Sequence, residues 1–153
     1  MIITGPENFT LAINDTRSYA LLPQSKGQLS NKKKLPKLYI ISHNRKPIYV
    51  GITTQPIKSR LRYGFSAVGV GGYYGYAWRR KYKEVELHLW FQKDGRNLTD
   101  IETIEAEVVY EIRNQLGQWP EQQTEIHFHQ SEKIHREAAR KISKYFMCKT
   151  MGV

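Results

Sequence analysis

Residues 38–51 read LYIISHNRKPIYVG, two apolar runs separated by the polar residues 43–46. β-Branched and aromatic side chains dominate both runs, and a polar turn between two such runs is typical of a β-hairpin. Gly51 ends the second run, and residues 53–56 (TTQP) supply hydroxyl groups and a proline, which favour the start of a helix. The sequence therefore predicts a hairpin followed directly by a helix.

The predicted helix has one apolar face, because Ile57, Leu61 and Phe65 recur at every fourth position. Its basic residues fall off that face, and they are Lys58, Arg60 and Arg62. These cations therefore lie outside the face that is predicted to be buried.

The remaining pattern predicts one more strand and two more helices. Residues 85–91 alternate as a strand does, with a turn at 93–96. A helix is expected over 99–116, a short extended piece at 125–129, and a basic helix at 132–147. This order predicts a small α/β domain of the α+β kind, with a short, three-stranded, mainly antiparallel sheet flanked by helices.

The chain of 153 residues is long enough for one domain with a core of its own, and too short for two. Residues 1–35 are interpreted as an N-terminal extension and basic arm, 36–130 as the core, and 131–153 as a basic helix packed on the same domain. The arm holds a short cationic run that suits either phosphate binding or a solvated loop, namely Lys32, Lys33 and Lys34.

The charge is strongly positive. There are 24 Lys and Arg against 14 Asp and Glu, which gives a formal net charge of +10. Such an excess favours a polyanionic partner, and nucleic acid is the commonest one. No apolar run approaches the roughly 20 residues that a membrane span needs, and residues 1–6 lack the features of a signal peptide. We therefore expect a cytoplasmic protein with no membrane partner.

A glycine-rich, aromatic stretch at 67–76 leads into the basic segment 78–83. Aromatic faces stack on bases while cations contact phosphates, so this composition suits nucleic acid. A loop whose aromatic side chains pack on the core explains it equally well. The candidate nucleic-acid contacts are Tyr73, Tyr74, Tyr76, Arg79 and Arg80, together with Arg62 and the lysine run.

Tyr39, the run Tyr49-Val50-Gly51 ten positions later, and Arg60 in the next helix resemble the signature of the GIY-YIG nuclease family. The resemblance covers about residues 36–125, and Tyr49 to Leu61 is its most specific part. It implies a small GIY-YIG-like domain with both tyrosines on adjacent strands, the arginine on the following helix, and a catalytic glutamate on a later helix.

The chain departs from the family pattern in three places. It has Lys37-Leu38-Tyr39 where Gly-Ile-Tyr is typical, and Arg60 lies one position farther from Gly51 than expected. The asparagine that the family carries after its last helix has no clean match, and its candidates are Gln122, Gln123 and Thr124.

For the glutamate, spacing and the following Val108 and Val109 favour Glu105. Glu107 is the alternative. It lies about 200° farther round the helix, so the two carboxylates cannot both face one site.

Phosphodiester hydrolysis needs a positioned water, a path for its proton, and positive charge near the phosphoryl oxygens. The carboxylate of Glu105 can hold Mg²⁺ or Mn²⁺, and Arg60 can fork onto two phosphate oxygens. Tyr39 or Tyr49 can relay the proton if neighbouring cations lower a phenol pKa of about 10. Lys58 is a candidate cation for this effect, and Tyr63 lies one helical turn from Arg60.

The resemblance implies a metal-dependent endonuclease that hydrolyses DNA phosphodiester bonds. We expect double-stranded DNA and a sequence-specific, restriction-type enzyme, and a palindromic target would require a homodimer. Three alternatives stay open: a nucleic-acid-binding module that has lost cleavage, a protein-interaction domain with incidental charge, and RNA as the substrate.

Overall fold

The computed structural model describes residues 3–15, 18–24, 29–93, 98–123, 126 and 128–151, with side chains up to residue 147. Several parts of the sequence-based prediction lie outside these residues. They are positions 94–96 of the expected turn, Thr124, and Glu125 and His127 of the expected extended piece.

Five antiparallel strands form one sheet in the order β2-β1-β5-β3-β4. The strands are β1 (Ile3–Asp15), β2 (Ser18–Pro23), β3 (Lys37–His43), β4 (Lys46–Thr53) and β5 (Glu84–Gln92). The predicted hairpin is confirmed as β3 and β4, in which Tyr39 lies opposite Gly51 and Ile41 lies opposite Tyr49. Tyr39 and Tyr49 are therefore carried by neighbouring strands.

The prediction of a three-stranded sheet is wrong, because residues 3–23 add two strands. Phe9 of β1 lies opposite Leu87 of β5, so the N-terminal segment extends the sheet. Its apolar side chains alternate only from Phe9 to Ile13, which is a short signal on its own. Pairing with β5 makes this segment a strand, because its backbone groups bond to an edge of β5 whose N–H and C=O groups would otherwise lack partners.

Three α-helices flank the sheet: α1 (Ile57–Ser66), α2 (Leu98–Leu116) and α3 (Lys133–Met151). The predicted apolar face of α1 is confirmed, since Ile57, Leu61 and Phe65 are fully buried. Helix α2 ends where predicted, because Gly117 adopts the left-handed conformation (φ +75°) and its N–H donates to the carbonyl of Arg113 at 2.8 Å.

Each face of the sheet has its own core. On one face Tyr39 and Leu89 pack with α1 and the segment up to Trp78. On the other face Ile40 and Trp90 pack with α2 and α3. The fold is thus mixed α+β, as the order of elements predicted. Among the residues that the structure describes, no helix is long and apolar enough to cross a membrane.

Candidate active site

Three tyrosines form a cluster beside α1. The ring centroids of Tyr39 and Tyr49 are 6.0 Å apart, and the ring of Tyr76 lies 5.8 Å from that of Tyr49. The hydroxyls of Tyr39 and Tyr76 share a hydrogen bond of 3.0 Å. Tyr39 is fully buried, whereas Tyr49 is half-buried. Tyr49 is therefore the strand phenol of this cluster that reaches the surface.

Two glycines leave the space that these rings fill. A Cβ at Gly51 would lie 2.5 Å from Cζ of Tyr39, and a Cβ at Gly64 would overlap the ring of Tyr76. Glycine after Tyr49-Val50 thus has a steric reason in this chain, because the Tyr39 ring crosses directly over it.

Arg60 projects from α1 onto the cluster. Its Cζ lies 4.7 Å from the centroid of the Tyr76 ring, and its Nη1 donates to the hydroxyl of Tyr73 at 3.0 Å. Burial opposes the charge of Arg60, but the neighbouring hydroxyls of Tyr39 and Tyr76 outweigh it and hold the pKa of Arg60 above its ordinary value. A permanent cation therefore faces the tyrosines.

Glu105, on α2, acts on the cluster through its charge. Burial raises the pKa of Tyr49 above its ordinary value, Tyr39 and the Glu105 carboxylate raise it further, and Arg60 lowers it. Tyr49 thus lies within electrostatic reach of both Arg60 and Glu105. The fold brings Tyr39, Tyr49 and Arg60 into one cluster, and Glu105 acts on Tyr49 electrostatically from α2.

The Glu105 side chain is buried without a counter-charge. Only 7% of the residue is exposed, and no hydrogen bond or ion pair joins its carboxyl to the other residues described. Burial, with a smaller contribution from Glu102, raises the pKa of Glu105 to about 8. Glu102 itself is bonded to Nε2 of His129 at 2.7 Å. Glu107 is half-buried on the same helix.

A groove of about 380 Å³ opens beside Arg60, and we call it the Arg60 groove. Its walls include Thr54, Gln55, Tyr63, Tyr73 and Leu98. Thr54 and Gln55 also line a neighbouring hollow together with Lys33 and Lys34. The lysine run therefore lies along the continuation of the groove.

Lys37 holds the backbone of the lysine run in place through hydrogen bonds, and the sequence did not indicate this role. Its buried Nζ donates to the carbonyl oxygens of Lys32 at 2.6 Å and Leu35 at 2.9 Å. Burial lowers the pKa of Lys37 to about 8. The backbone of the run is thus held by a neighbouring lysine while the side chains of Lys32, Lys33 and Lys34 face solvent.

The candidate nucleic-acid contacts fall into two groups. Solvent-facing residues are Lys32, Lys33, Lys34, Arg62, Tyr74 and Arg80, with Tyr73 half-buried; Lys58 and Tyr63 are exposed as well. Tyr76 and Arg79 are buried instead. Tyr76 belongs to the tyrosine cluster, and the guanidinium of Arg79 donates to the carbonyls of Gly64, Ala67 and Tyr74. These two side chains therefore make contacts inside the protein and do not face solvent.

Gln123 closes the outer edge of β4 next to Tyr49. Its Oε1 accepts from the N–H of Val50 at 2.9 Å and its Nε2 donates to the carbonyl of Val50 at 3.0 Å. The N–H of Gln122 donates to the carbonyl of Ile48 at 2.8 Å. The Gln123 amide thus bonds to the backbone of Val50, the residue after Tyr49.

The donor set fits a cation held through a single carboxylate. Among the described residues, no group of three or more His, Cys, Asp or Glu side chains is placed to hold a metal ion. Mg²⁺ characteristically binds through one or two carboxylates and keeps several waters. A buried carboxyl that has no counter-charge among the described residues suits that mode.

No family model, no curated protein and no solved structure matches this chain. The resemblance to GIY-YIG nucleases therefore remains a prediction that rests on the sequence pattern.

Proposed function

We propose that this protein is a metal-dependent endonuclease of the GIY-YIG type, which hydrolyses DNA phosphodiester bonds. One observation carries the proposal: the half-buried Tyr49 is within electrostatic reach of both the guanidinium of Arg60 and the carboxyl of Glu105, which is buried with no counter-charge among the described residues. Phosphodiester hydrolysis needs a cation for the phosphoryl oxygens, a ligand for a metal, and a group that handles the proton of the attacking water.

Arg60 binds the scissile phosphate in this proposal. Its guanidinium stays charged and lines an open groove, so it can donate two parallel hydrogen bonds to phosphate oxygens. Tyr73 now accepts from Nη1, and a phosphate oxygen, being charged, is the stronger acceptor. Binding of DNA at Arg60 therefore replaces the Tyr73 contact.

Glu105 is the residue that would hold Mg²⁺ or Mn²⁺. When bound, the cation supplies positive charge for the developing negative charge and acidifies nearby water and hydroxyl groups. Binding requires the carboxylate form of Glu105, so it displaces a proton from a group whose pKa is about 8.

The two strand tyrosines have different roles. Tyr39 is fully buried and hydrogen-bonded to Tyr76, so it orients the cluster from behind. Tyr49 is the one exposed enough to meet a water molecule. Burial raises the pKa of both phenols, so both are neutral near pH 7 without added positive charge. Tyr49 accordingly donates or relays a proton, and it becomes a base only beside a further cation.

Cleavage of supercoiled plasmid tests the proposal. Arg60→Ala and Glu105→Gln should each slow Mg²⁺-dependent cleavage by about 100-fold or more, the usual cost of removing one transition-state contact. Arg113→Ala and Glu107→Gln are the controls, since each removes the same charge from an exposed or half-buried position on α2. Cleavage that is unchanged in Arg60→Ala or Glu105→Gln would overturn the proposed site.

The substrate and assembly follow as finer parts of the same proposal. We propose double-stranded DNA as the substrate and sequence-specific, restriction-type cleavage, which on a palindromic site requires a homodimer. Binding to DNA without cleavage across several divalent metals would favour the alternative, a nucleic-acid-binding module. Faster cleavage of RNA than of DNA would show that RNA is the substrate.

A further inference from the structure

A second cavity adjoins the Arg60 groove, and we call it the Val70 pocket. Its volume is about 240 Å³. Tyr63 and Tyr73 line both spaces, so the two meet at this pair of rings. The other walls of the Val70 pocket are Ser66, Ala67, Val68 and Val70.

The Val70 pocket exposes an unusual amount of apolar surface. Val70 is 83% exposed, Val68 is 60% exposed and Tyr63 is 57% exposed. Single exposed apolar residues are common, but several clustered around one hollow mark a binding site. Apart from Ser66, the side chains that surround this one are apolar or aromatic, so they suit a flat, largely apolar ligand.

The rings of Tyr63 and Tyr73, which line the pocket, lie close to the guanidinium of Arg60. The rings of Tyr63 and Tyr73 are stacked, with centroids 4.7 Å apart and planes 11° apart. Cζ of Arg60 lies 5.8 Å from the centroid of Tyr63 and 5.9 Å from that of Tyr73. A ligand with an anionic group at Arg60 and a flat ring one sugar away would meet both features at once.

The loop that forms the pocket has a defined shape. The N–H of Gly69 donates to the carbonyl of Tyr73 at 2.9 Å, which closes the loop on itself. Nη2 of Arg79 donates to the carbonyls of Ala67 at 2.9 Å and Tyr74 at 3.1 Å, which ties both ends of the loop to the interior. The pocket is therefore present before a ligand arrives.

We propose that the Val70 pocket receives one base of the DNA strand whose phosphate is bound at Arg60. A duplex with an unpaired base beside the scissile phosphate should then bind more tightly than the same duplex fully paired. A base inside a duplex must leave its stack to enter the pocket, and an unpaired base avoids most of that cost. The cations Lys58 and Arg62, exposed on α1, suit the backbone on either side. This inference rests on the proposed nuclease function.

The experiment compares two duplexes of one sequence. One carries a single extra, unpaired 2-aminopurine, and in the other a thymine pairs with it. Fluorescence anisotropy, with divalent metal chelated, gives a Kd for each duplex, and 2-aminopurine emission reports stacking. The variants are Tyr63→Ala and Val70→Ser, whose exposed positions leave the core intact. The control is Leu22→Ser, because Leu22 is 56% exposed on the far edge strand β2.

The native protein should bind the unpaired duplex about tenfold more tightly, as stacking of one base on an aromatic side chain predicts, with quenched emission. Tyr63→Ala should abolish the preference, Val70→Ser should weaken it, and Leu22→Ser should keep it. Equal binding of the two duplexes by a native protein that cleaves DNA would overturn the pocket and leave the nuclease standing. A preference that survives in Tyr63→Ala and Val70→Ser would also overturn it. If the native protein neither binds nor cleaves DNA, the proposed function fails first.

Discussion

Replacing Glu105 by glutamine should make the protein more stable at alkaline pH. The pKa of Glu105 is raised from 4.5 to about 8, chiefly by burial. The folded state therefore binds the proton more tightly than the unfolded state does. Stability is lost as pH rises from about 4.5 towards 8, because the buried carboxyl must ionise with no counter-charge among the residues that the structure describes. Glutamine has nearly the same shape and no charge to ionise.

The size of the effect follows from that shift. At 1.36 kcal/mol per pKa unit, a shift from 4.5 to about 8 corresponds to about 4 to 5 kcal/mol once both states are ionised. Because the side chain can relax or draw in water, we expect about 2 to 4 kcal/mol near pH 9 and less than about 1 kcal/mol near pH 5. With Glu105 only 7% exposed, salt should change these values little.

Urea unfolding at several pH values measures this difference, with divalent metal removed. The free energy of unfolding of Glu105→Gln should exceed that of the native protein by an amount that grows with pH. Glu107→Gln is the control, and its curve should run parallel to the native one, since Glu107 is only half-buried. Parallel curves for Glu105→Gln and the native protein would refute the reasoning.

Three further predictions follow from the same contacts. Arg79→Met should lower the free energy of unfolding by about 3 kcal/mol or more, because three carbonyls lose a charged donor; an unchanged urea midpoint would contradict this. Gly51→Ala should cost about 2 kcal/mol in thermal or urea unfolding, because the new Cβ would meet the Tyr39 ring at 2.5 Å. The affinity for Mg²⁺, measured by calorimetry, should rise up to about tenfold per pH unit below the Glu105 pKa of about 8, and an affinity independent of pH would exclude Glu105 as the ligand.

The elements with strong local patterns were predictable from the sequence. The hairpin follows from two β-branched runs around a polar turn, and α1 follows from apolar residues at every fourth position. Strand β1 was missed for a physical reason. Its alternation is short, Gly5 and Pro6 interrupt it, and it becomes a strand through pairing with β5, which lies far along the chain. The sheet consequently has five strands where the sequence predicted three.

The residues of the candidate site were selected from the sequence, but the sequence did not indicate how deeply each side chain is buried. Tyr39 and Tyr49 look alike in sequence, and only the fold makes the first fully buried and the second half-buried. Arg79 resembles a phosphate contact because it lies in a basic aromatic segment, yet it binds backbone carbonyls. The charge of a residue type carries no information about whether its partner is DNA or the chain itself.

The sequence does contain a signal for the buried position of Tyr76, and that signal is a glycine in α1. Gly64 lies on the inner side of α1, where an apolar side chain would be expected, and a glycine there leaves room for a large ring. Tyr76 fills that room and donates or accepts a hydrogen bond with Tyr39. Lys37 and Gln123 gave no comparable signal, because each bonds to backbone atoms whose positions depend on the tertiary fold.

The central claim is tested most directly by incubating the native protein with supercoiled plasmid, with Mg²⁺ and with a chelator, and then analysing the ends of any products. We predict cleavage only with the metal, with 5′-phosphate and 3′-hydroxyl ends. Intact plasmid under both conditions, in a preparation that binds DNA, would contradict the claim that Tyr49, Arg60 and Glu105 form a hydrolytic site.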